Sequence, residues 1–293
     1  MNERTSSVAA NNGPLAIICG GGSLPFTVAD AAQRQGRRVV LFALRGWADA
    51  SRVAGYPHHW VAITRIGQFR RLANAEGCRD VVMIGTAGRP PLRDFLFDLY
   101  TLSLVPRLVS LFRGGDDHLL SGVARLFEER GFRLLGAHEV APEILVPEGL
   151  IAGRTPTERE RSDIARGLAL LRATGPFDVG QAAVLADNHV WAVEGAEGTD
   201  AMLARVADMR RSGRIRAPAG AGVLVKAPKP RQERRIDLPS IGPTTIEGAA
   251  QAGLAGIAVV AGSAIVADAG RITIVADRAK VFVVGVPADE PKS

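Results

Sequence analysis

The segment LAIICGGGSLP (15–25) constrains the fold most, because an apolar run meets three glycines and a proline then opens a stretch with helical spacing. A short apolar run that stops at glycine reads as a buried strand. Residues 26–35 keep helical spacing, Gly36 is placed as the C-terminal cap, and RRVVLFAL (37–44) follows as a second strand. Strand, glycine loop, helix, strand is the order of a right-handed crossover unit, so the chain is committed to a parallel sheet.

The same grammar continues. DVVMIG (80–85) is a strand ending in the glycine-bearing loop GTAGRPP. Residues 116–130 carry Leu119, Leu120, Val123, Leu126 and Phe127 at helical spacing, Gly131 ends that helix, and FRLLG (132–136) is the next strand. Residues 142–156 hold three prolines and two glycines without periodicity, which places the domain junction there. The expected domains are 14–143 and 144–288. In the second, helices are expected over 157–171, 200–211 and 243–252. AAVLAD and VWAVE read as strands around an Asn188-His189 hairpin turn, and GVLVKA, IAVVAG, AIVAD and VFVVGV as further strands. The predicted fold is α/β, with a Rossmann-like N-terminal domain built on a parallel sheet and a distinct mixed α/β C-terminal domain.

A chain of 293 residues with 47% hydrophobic content can fill two cores. No apolar run approaches the ~20 residues of a spanning helix, and the polar start MNERTSSVAANNG has no signal-peptide core. A cytoplasmic location is therefore expected. Cys19 and Cys78 lie in or beside apolar runs without a CxxC pair and read as reduced core thiols. The net charge of +6 calls for an anionic partner. Scattered basic residues and 5% aromatic content offer little to nucleic acid, so an anionic membrane surface or a phosphorylated substrate is the reading taken forward.

The first glycine loop departs from GxGxxG, and the second strand ends Ala43-Leu44-Arg45 without the acid that would hold a ribose. NAD and Walker-type NTP sites are thereby disfavoured, leaving a phosphate or nucleotide role or a structural tight turn. Three polar clusters interrupt the apolar pattern of the second half. FDVGQ (177–181) ends in Gln181. In EGAEGTDAML (194–203), Thr199 or Asp200 either caps a helix or meets a ligand. KAPKPRQERRIDLPSIGP (226–243) is a proline-stiffened loop that sets Asp237 among Lys226, Lys229, Arg234 and Arg235. Cations with one acid suit a pyrophosphate: the cations neutralise the leaving phosphate, and the carboxylate holds Mg²⁺ or orients water. The plainer reading is that Asp237 pairs with Arg234 or Arg235 to shape the loop. His58, His59, His118, His138 and His189 show no metallohydrolase spacing, His138-Glu139 reads as structural, and no GxSxG elbow occurs.

GGGSLP, GDDHLLSGV, EERGF, GAHEVAPE, DVGQAAV, AVEGAEGTDAML, GVLVKAPKPRQERRIDLPSIGPTTIE and AGLAGIAV stand in the order of the LpxI family of UDP-2,3-diacylglucosamine diphosphatases, which this chain resembles over nearly its whole length. The resemblance implies hydrolysis of UDP-2,3-diacylglucosamine at the α-phosphorus. The products would be UMP and 2,3-diacylglucosamine 1-phosphate, formed with a divalent cation such as Mg²⁺ in lipid A synthesis. It also implies that the substrate lies between the two domains and that the protein works peripherally at the inner membrane. Its essential aspartate corresponds to Asp237 in Ile236-Asp237-Leu238-Pro239, which becomes the expected catalytic residue and metal ligand. Substrate contacts are expected at Gly21, Gly22, Ser23, Gly85, Thr86, Ala87, Gly88, Gln181, Thr199, Asp200, Lys226 and Lys229. Two departures stand out: Val260 occupies a position where the family usually has an acid, and the loop after 80–84 is altered. The rival readings are a nucleotide-sugar-binding or transferase protein without hydrolysis, and a regulatory nucleic-acid binder.

Overall fold

The computed structural model of the chain describes residues 13–88, 98, 100–104, 116–230 and 232–288, with the backbone alone at 116–119. The polar leader up to residue 12, the end of the GTAGRPP loop, Gly115, the His118 side chain and Arg231 lie outside the described residues. The chain divides into two compact units on either side of Pro142 and Glu143.

In the first unit, β1 (Leu15–Cys19), β2 (Val39–Leu44), β3 (His58–Val61), β4 (Asp80–Ile84) and β5 (Arg133–Leu135) form one parallel sheet in the order β3-β2-β1-β4-β5. This is the order of doubly wound sheets, in which ligands bind beyond the carboxyl ends of the strands where the order reverses, here between β1 and β4. All of β2 and most of β1 is buried, as parallel strands covered on both faces require. Helix α1 (Leu24–Arg34) starts two residues before the expected Phe26, because Pro25 fits the first turn, where its missing N–H costs nothing. Gly36 follows it at φ 77°, as the pattern predicted.

Three elements here were not anticipated: α2 (Ala50–Val53), strand β3 with its sequence HHWV, and α3 (Ile66–Ala75). Helix α3 has no capping side chain of its own. Ile66 N donates to Thr101 Oγ1 at 2.9 Å and Gln68 N to Asp98 Oδ2 at 2.9 Å, so its cap comes from some thirty residues away. The expected helix over 116–130 is present as α4 (Asp116–Glu128), and the short α5 (Ala137–Val140) follows β5.

At the amino end of this sheet Asp80 opens β4 with its side chain fully buried. Arg133, its register partner at the start of β5, donates two hydrogen bonds of 2.8 Å to it, and Arg37, just before β2, donates another. Burial pushes the Asp80 carboxyl up, but the bonds from Arg133 and Arg37 outweigh it and hold the carboxyl below its ordinary range. The cluster joins β2, β4 and β5 at the end of the sheet opposite the glycine loops.

In the second unit β6 (Gly149–Ala152), β7 (Ala182–Ala186), β8 (His189–Val193), β9 (Val223–Lys226), β11 (Gly256–Val260) and β13 (Phe282–Val286) form a mixed sheet in the order β6-β13-β11-β9-β7-β8. β9, β11 and β13 are mutually parallel, while β6, β7 and β8 run antiparallel to their neighbours. A separate parallel pair joins β10 (Ser240–Ile241) to β12 (Ile265–Val266). Strand alternation sorts the core. Leu224, Ile257, Val259 and Val283 face α7 (Gly198–Arg211), α8 (Pro243–Gln251) and α9 (Ala269–Ala279), whereas Val223, Val225, Ala258, Val260 and Val284 face α6 (Glu158–Thr174).

Helix α6 opens on Thr157, whose backbone N–H and hydroxyl both donate to the Glu160 carboxylate, at 2.7 and 2.9 Å. One expectation is corrected here and two elements are added. The proline-rich junction is not free of structure, since it contains edge strand β6. The hairpin turns on Asp187 and Asn188, at φ 51° and 63°, rather than on Asn188-His189. The buried Asp163 of α6 accepts both of their N–H groups, at 3.0 and 2.6 Å, and so fixes that turn. Finally, α9 occupies AGRITIVADRA, whose β-branched residues carry no helix-start signal.

Removing the Asp80 carboxylate strands two arginines at the sheet end. Asp80→Ala should destabilise the protein by about 3–5 kcal/mol, read as a lower urea midpoint. Because the folded carboxyl titrates below its unfolded value of about 3.9, the stabilisation is full above that pH and is lost as pH falls through the depressed value. An Asp80→Ala protein whose acid unfolding matches wild type would contradict the assignment.

Candidate active site

Two groups of candidate residues assemble, one in each unit. In the first unit the loops after β1 and β4 are stitched together by backbone. Gly21 N donates to Thr86 O at 2.8 Å, Thr86 N returns a bond to Gly21 O at 2.9 Å, and Gly20 N donates to Ile84 O at 2.9 Å. A Cβ on Gly20 would stand 2.6 Å from the Thr86 carbonyl oxygen. One on Gly85, whose φ is 102°, would stand 2.7 Å from that of Gly21. Close backbone approach is therefore what Gly20, Gly21 and Gly85 provide, and the Gly21 N–H is spent on that bridge. Gly22 differs: its φ is 90°, nothing lies within 4 Å of a Cβ there, and its N–H and that of Ser23 donate to no described residue. Ser23 precedes α1 without capping it. Gly85, Thr86, Ala87 and Gly88 form the exposed rim of the second loop.

In the second unit the site is built around Lys226. Position 226 ends β9 on the face of α7 and α8, opposite Val259 in the register, where the pattern calls for an apolar residue. The lysine is only 4% exposed. Its Nζ donates to Thr199 Oγ1 at 3.1 Å and to Ser240 O at 3.0 Å. The Thr199 hydroxyl donates in turn to Glu194 Oε1 at 2.9 Å, and Glu194 Oε2 accepts Gln181 N at 2.9 Å. Burial lowers the Lys226 pKa, while the charges of Glu194, Asp200 and Asp237 push it back up. Thr199 is thus no helix cap. The cap position of α7 is Glu197, whose side chain makes no capping bond, and the Thr199 hydroxyl belongs to the lysine site.

From Gln181 the network continues into the 226–243 loop. Gln232 Nε2 donates to Gln181 Oε1 at 3.2 Å and to Asp237 Oδ2, and Gln232 Oε1 accepts Lys229 N at 3.0 Å. The Lys229 ammonium pairs with Asp178 at 2.5 Å. The plainer reading of Asp237 does not hold. Arg235 grips Glu233 at 2.8 Å and Arg234 donates to Gly262 O at 2.9 Å, and Asp237 pairs with neither. One network therefore gathers Gln181, Thr199, Lys226, Lys229 and Asp237. Asp200, exposed in the first turn of α7, joins it through its charge on Lys226 rather than by a hydrogen bond. Glu194 and Gln232 were not among the candidates, although both are buried and complete the network. Only their polarity inside the singled-out clusters could have pointed to them.

No group of three or more His, Cys, Asp or Glu side chains is placed to hold a metal ion among the described residues. At the loop one carboxylate, Asp237, keeps an oxygen without a described donor, while the amide oxygens of Gln181 and Gln232 already accept hydrogen bonds. That set fits a magnesium ion that completes its oxygen shell with water and substrate phosphate, rather than one caged by protein. Glu139 is occupied in accepting Gly136 N at 3.0 Å, in line with a structural role for the 138–139 pair. Val260, where the resemblance leads one to expect an acid, packs with Phe282 and Val284 on the α6 face, away from Lys226.

Comparison with known proteins gives the same division of the chain. Residues 14–144 match the LpxI N-terminal domain and 147–284 the LpxI C-terminal domain. A curated Caulobacter vibrioides protein, UDP-2,3-diacylglucosamine pyrophosphatase LpxI, is 42% identical over 276 residues, covering 94% of this chain and 98% of that protein. Among solved structures, the UDP-glucose 4-epimerase of Thermus thermophilus in complex with NAD covers 95% of this chain and 86% of that chain. Its identity is 13% and its TM-score 0.30, a level from which nothing is inferred. With both domains of the family matched in order, this chain belongs to the LpxI family.

Proposed function

We propose that the protein is a UDP-2,3-diacylglucosamine diphosphatase of lipid A synthesis, the activity named for its Caulobacter relative. The observation that carries the reading is the network just described. Gln181, Thr199 and Lys229, from separate stretches, join the buried ammonium of Lys226 and the Asp237 carboxylate through Glu194 and Gln232, a set suited to an anhydride of phosphoric acid. Lys226 has used two of its three N–H groups on Thr199 and Ser240, so the third is free for a phosphate oxygen. Desolvation strengthens that contact relative to a surface lysine. Asp237 orients a water molecule and takes its proton as the water oxygen attacks the α-phosphorus. The bond from that phosphorus to the bridging oxygen breaks, UMP carries the new oxygen, and the bridging oxygen leaves with 2,3-diacylglucosamine 1-phosphate. Mg²⁺, when bound at Asp237, supplies Lewis-acid neutralisation of the diphosphate. In the first unit, the unused N–H groups of Gly22 and Ser23 at the start of α1 suit the nucleotide end of the substrate.

The assay that tests this reading incubates purified protein with UDP-2,3-diacylglucosamine and Mg²⁺ and looks for UMP. Binding of the nucleotide sugar without UMP would favour a binding protein instead. Asp237→Ala should lower kcat by about 10² or more while substrate still binds, because a group that positions water acts mainly in the transition state. Near-normal turnover in a folded Asp237→Asn enzyme would exclude the role.

Gly22→Asn tests the first unit. Asparagine tolerates positive φ, so the fold should persist while the side chain obstructs phosphate, and KM should rise severalfold. An unchanged KM would leave the loop a structural turn.

A diacyl substrate resides in a bilayer, and among the described residues no helix is long and apolar enough to cross one. We infer a cytoplasmic protein that reaches the inner membrane peripherally through its net charge of +6. Binding to vesicles containing anionic lipid should weaken as salt is raised. Equal binding to neutral vesicles would show that charge plays no part.

A further inference from the structure

We infer that Gln232 is a positioning residue for the proposed reaction: its side-chain amide sets the orientation of both the Asp237 carboxylate and the Gln181 amide. The inference rests on the diphosphatase reading of the site, and its basis is a chain of donors and acceptors that can be satisfied in one way. Gln232 is 7% exposed, so little water can replace a partner that is lost. Its Oε1 faces Lys229 N, a backbone group that can only donate, at 3.0 Å. Its Nε2 therefore faces the two acceptors, Asp237 Oδ2 and Gln181 Oε1. Rotating the amide by a half-turn would set donor against donor at Lys229 and oxygen against carboxylate at Asp237, so the orientation is forced by the backbone.

That constraint passes outward in two directions. At Asp237 one carboxylate oxygen is taken by the amide, and Oδ1 accepts no hydrogen bond among the described residues, which leaves one defined oxygen for a water molecule. At Gln181 the oxygen is taken, so its NH₂, which donates to no described residue, is the end presented to a ligand. An NH₂ held in one orientation is a donor suited to a phosphate oxygen. A glutamine in a polar loop would otherwise rotate freely and present oxygen and nitrogen alike. The clamp begins at a backbone N–H and ends at the two side chains that meet the substrate.

The test uses the full-length protein with Gln232→Glu, which keeps the shape but cannot donate when ionised, and Gln232→Met, which keeps the length without polarity. With UDP-2,3-diacylglucosamine and Mg²⁺, at a temperature where circular dichroism shows both variants folded, each should lose about tenfold or more in kcat, the expected loss for misplacing a group that acts in the transition state. In an Asp237→Asn background the same substitutions should cost less than in wild type, since part of their effect passes through Asp237. Wild-type kcat in either folded variant, or full additivity with Asp237→Asn, would overturn the inference.

A second measurement is independent of turnover. The side-chain NH₂ resonances of Gln232, assigned by their loss in Gln232→Met, should be protected from solvent exchange in wild type. That protection should be lost in Asp237→Ala. Unprotected resonances would overturn the clamp itself. Protected resonances in a wild-type protein that releases no UMP would overturn the assigned reaction instead, so the two failures are distinguishable.

Discussion

Taking the ammonium of Lys226 out of water is the constraint on which the second unit's site depends. An unpaired buried ammonium is unfavourable by several kcal/mol, and the alternative to pairing is loss of the proton. The partners are therefore specified tightly. The first turn of α7 must bring Thr199 to the end of β9, the chain leaving β8 must bring Glu194 behind it, and β10 must offer the Ser240 carbonyl. Because β7 is antiparallel to β9, its first residue, Ala182, pairs with Lys226, and Gln181 stands at the same sheet edge. The mixed direction of the sheet is thus part of the site. An all-parallel sheet would carry that residue to the opposite end.

The first unit separates its tasks by sheet end. Asp80, Arg37 and Arg133 bind β2, β4 and β5 together at the amino end, where the carboxylate is shared between the two guanidinium groups. At the carboxyl end, β1 and β4 are joined by neutral backbone bonds between Gly21 and Thr86, which hold the loops while adding no side chain. Charge pairing can be rigid because it is buried, whereas the glycine bridge leaves the N–H groups beside it exposed. The same strands thereby present a stabilised edge and a receptive one, the arrangement expected of doubly wound sheets.

Much of the fold was legible because its signals are local. The strand at 15–19, Gly36 as a cap, the helix opening at residue 157 and the β9 and β11 runs all state their structure within a few residues. What escaped has non-local causes. Helix α3 borrows its cap from Asp98 and Thr101, and the turn at Asp187-Asn188 is held by Asp163 of α6. The α9 segment, rich in β-branched residues, is helical because Ile272 and Ala276 pack into the core of the sheet. The site followed the same rule. Asp237 stood out as an acid between apolar residues, and Lys226 as one of the cations around it. Glu194 and Gln232 looked like ordinary loop residues, since their burial is a product of the whole sheet.

Charge balance at the proposed site bears on the cation. Lys226 and Lys229 are the ammonium groups of the network, and Asp178, Glu194, Asp200 and Asp237 are the carboxylates in contact with it or acting on Lys226. Lys229 is already paired with Asp178, and the charge on Lys226 is partly spent on Glu194 through Thr199. A diphosphate brings further negative charge to a place where these carboxylates outnumber the lysines. A hydrogen bond from Gln181 can orient such a substrate, yet it adds no net positive charge. On the proposed reading, the remaining compensation comes from a divalent ion that arrives with the phosphates and meets protein at Asp237. Arg234 and Arg235 are held by Gly262 O and Glu233, so neither is placed on Asp237.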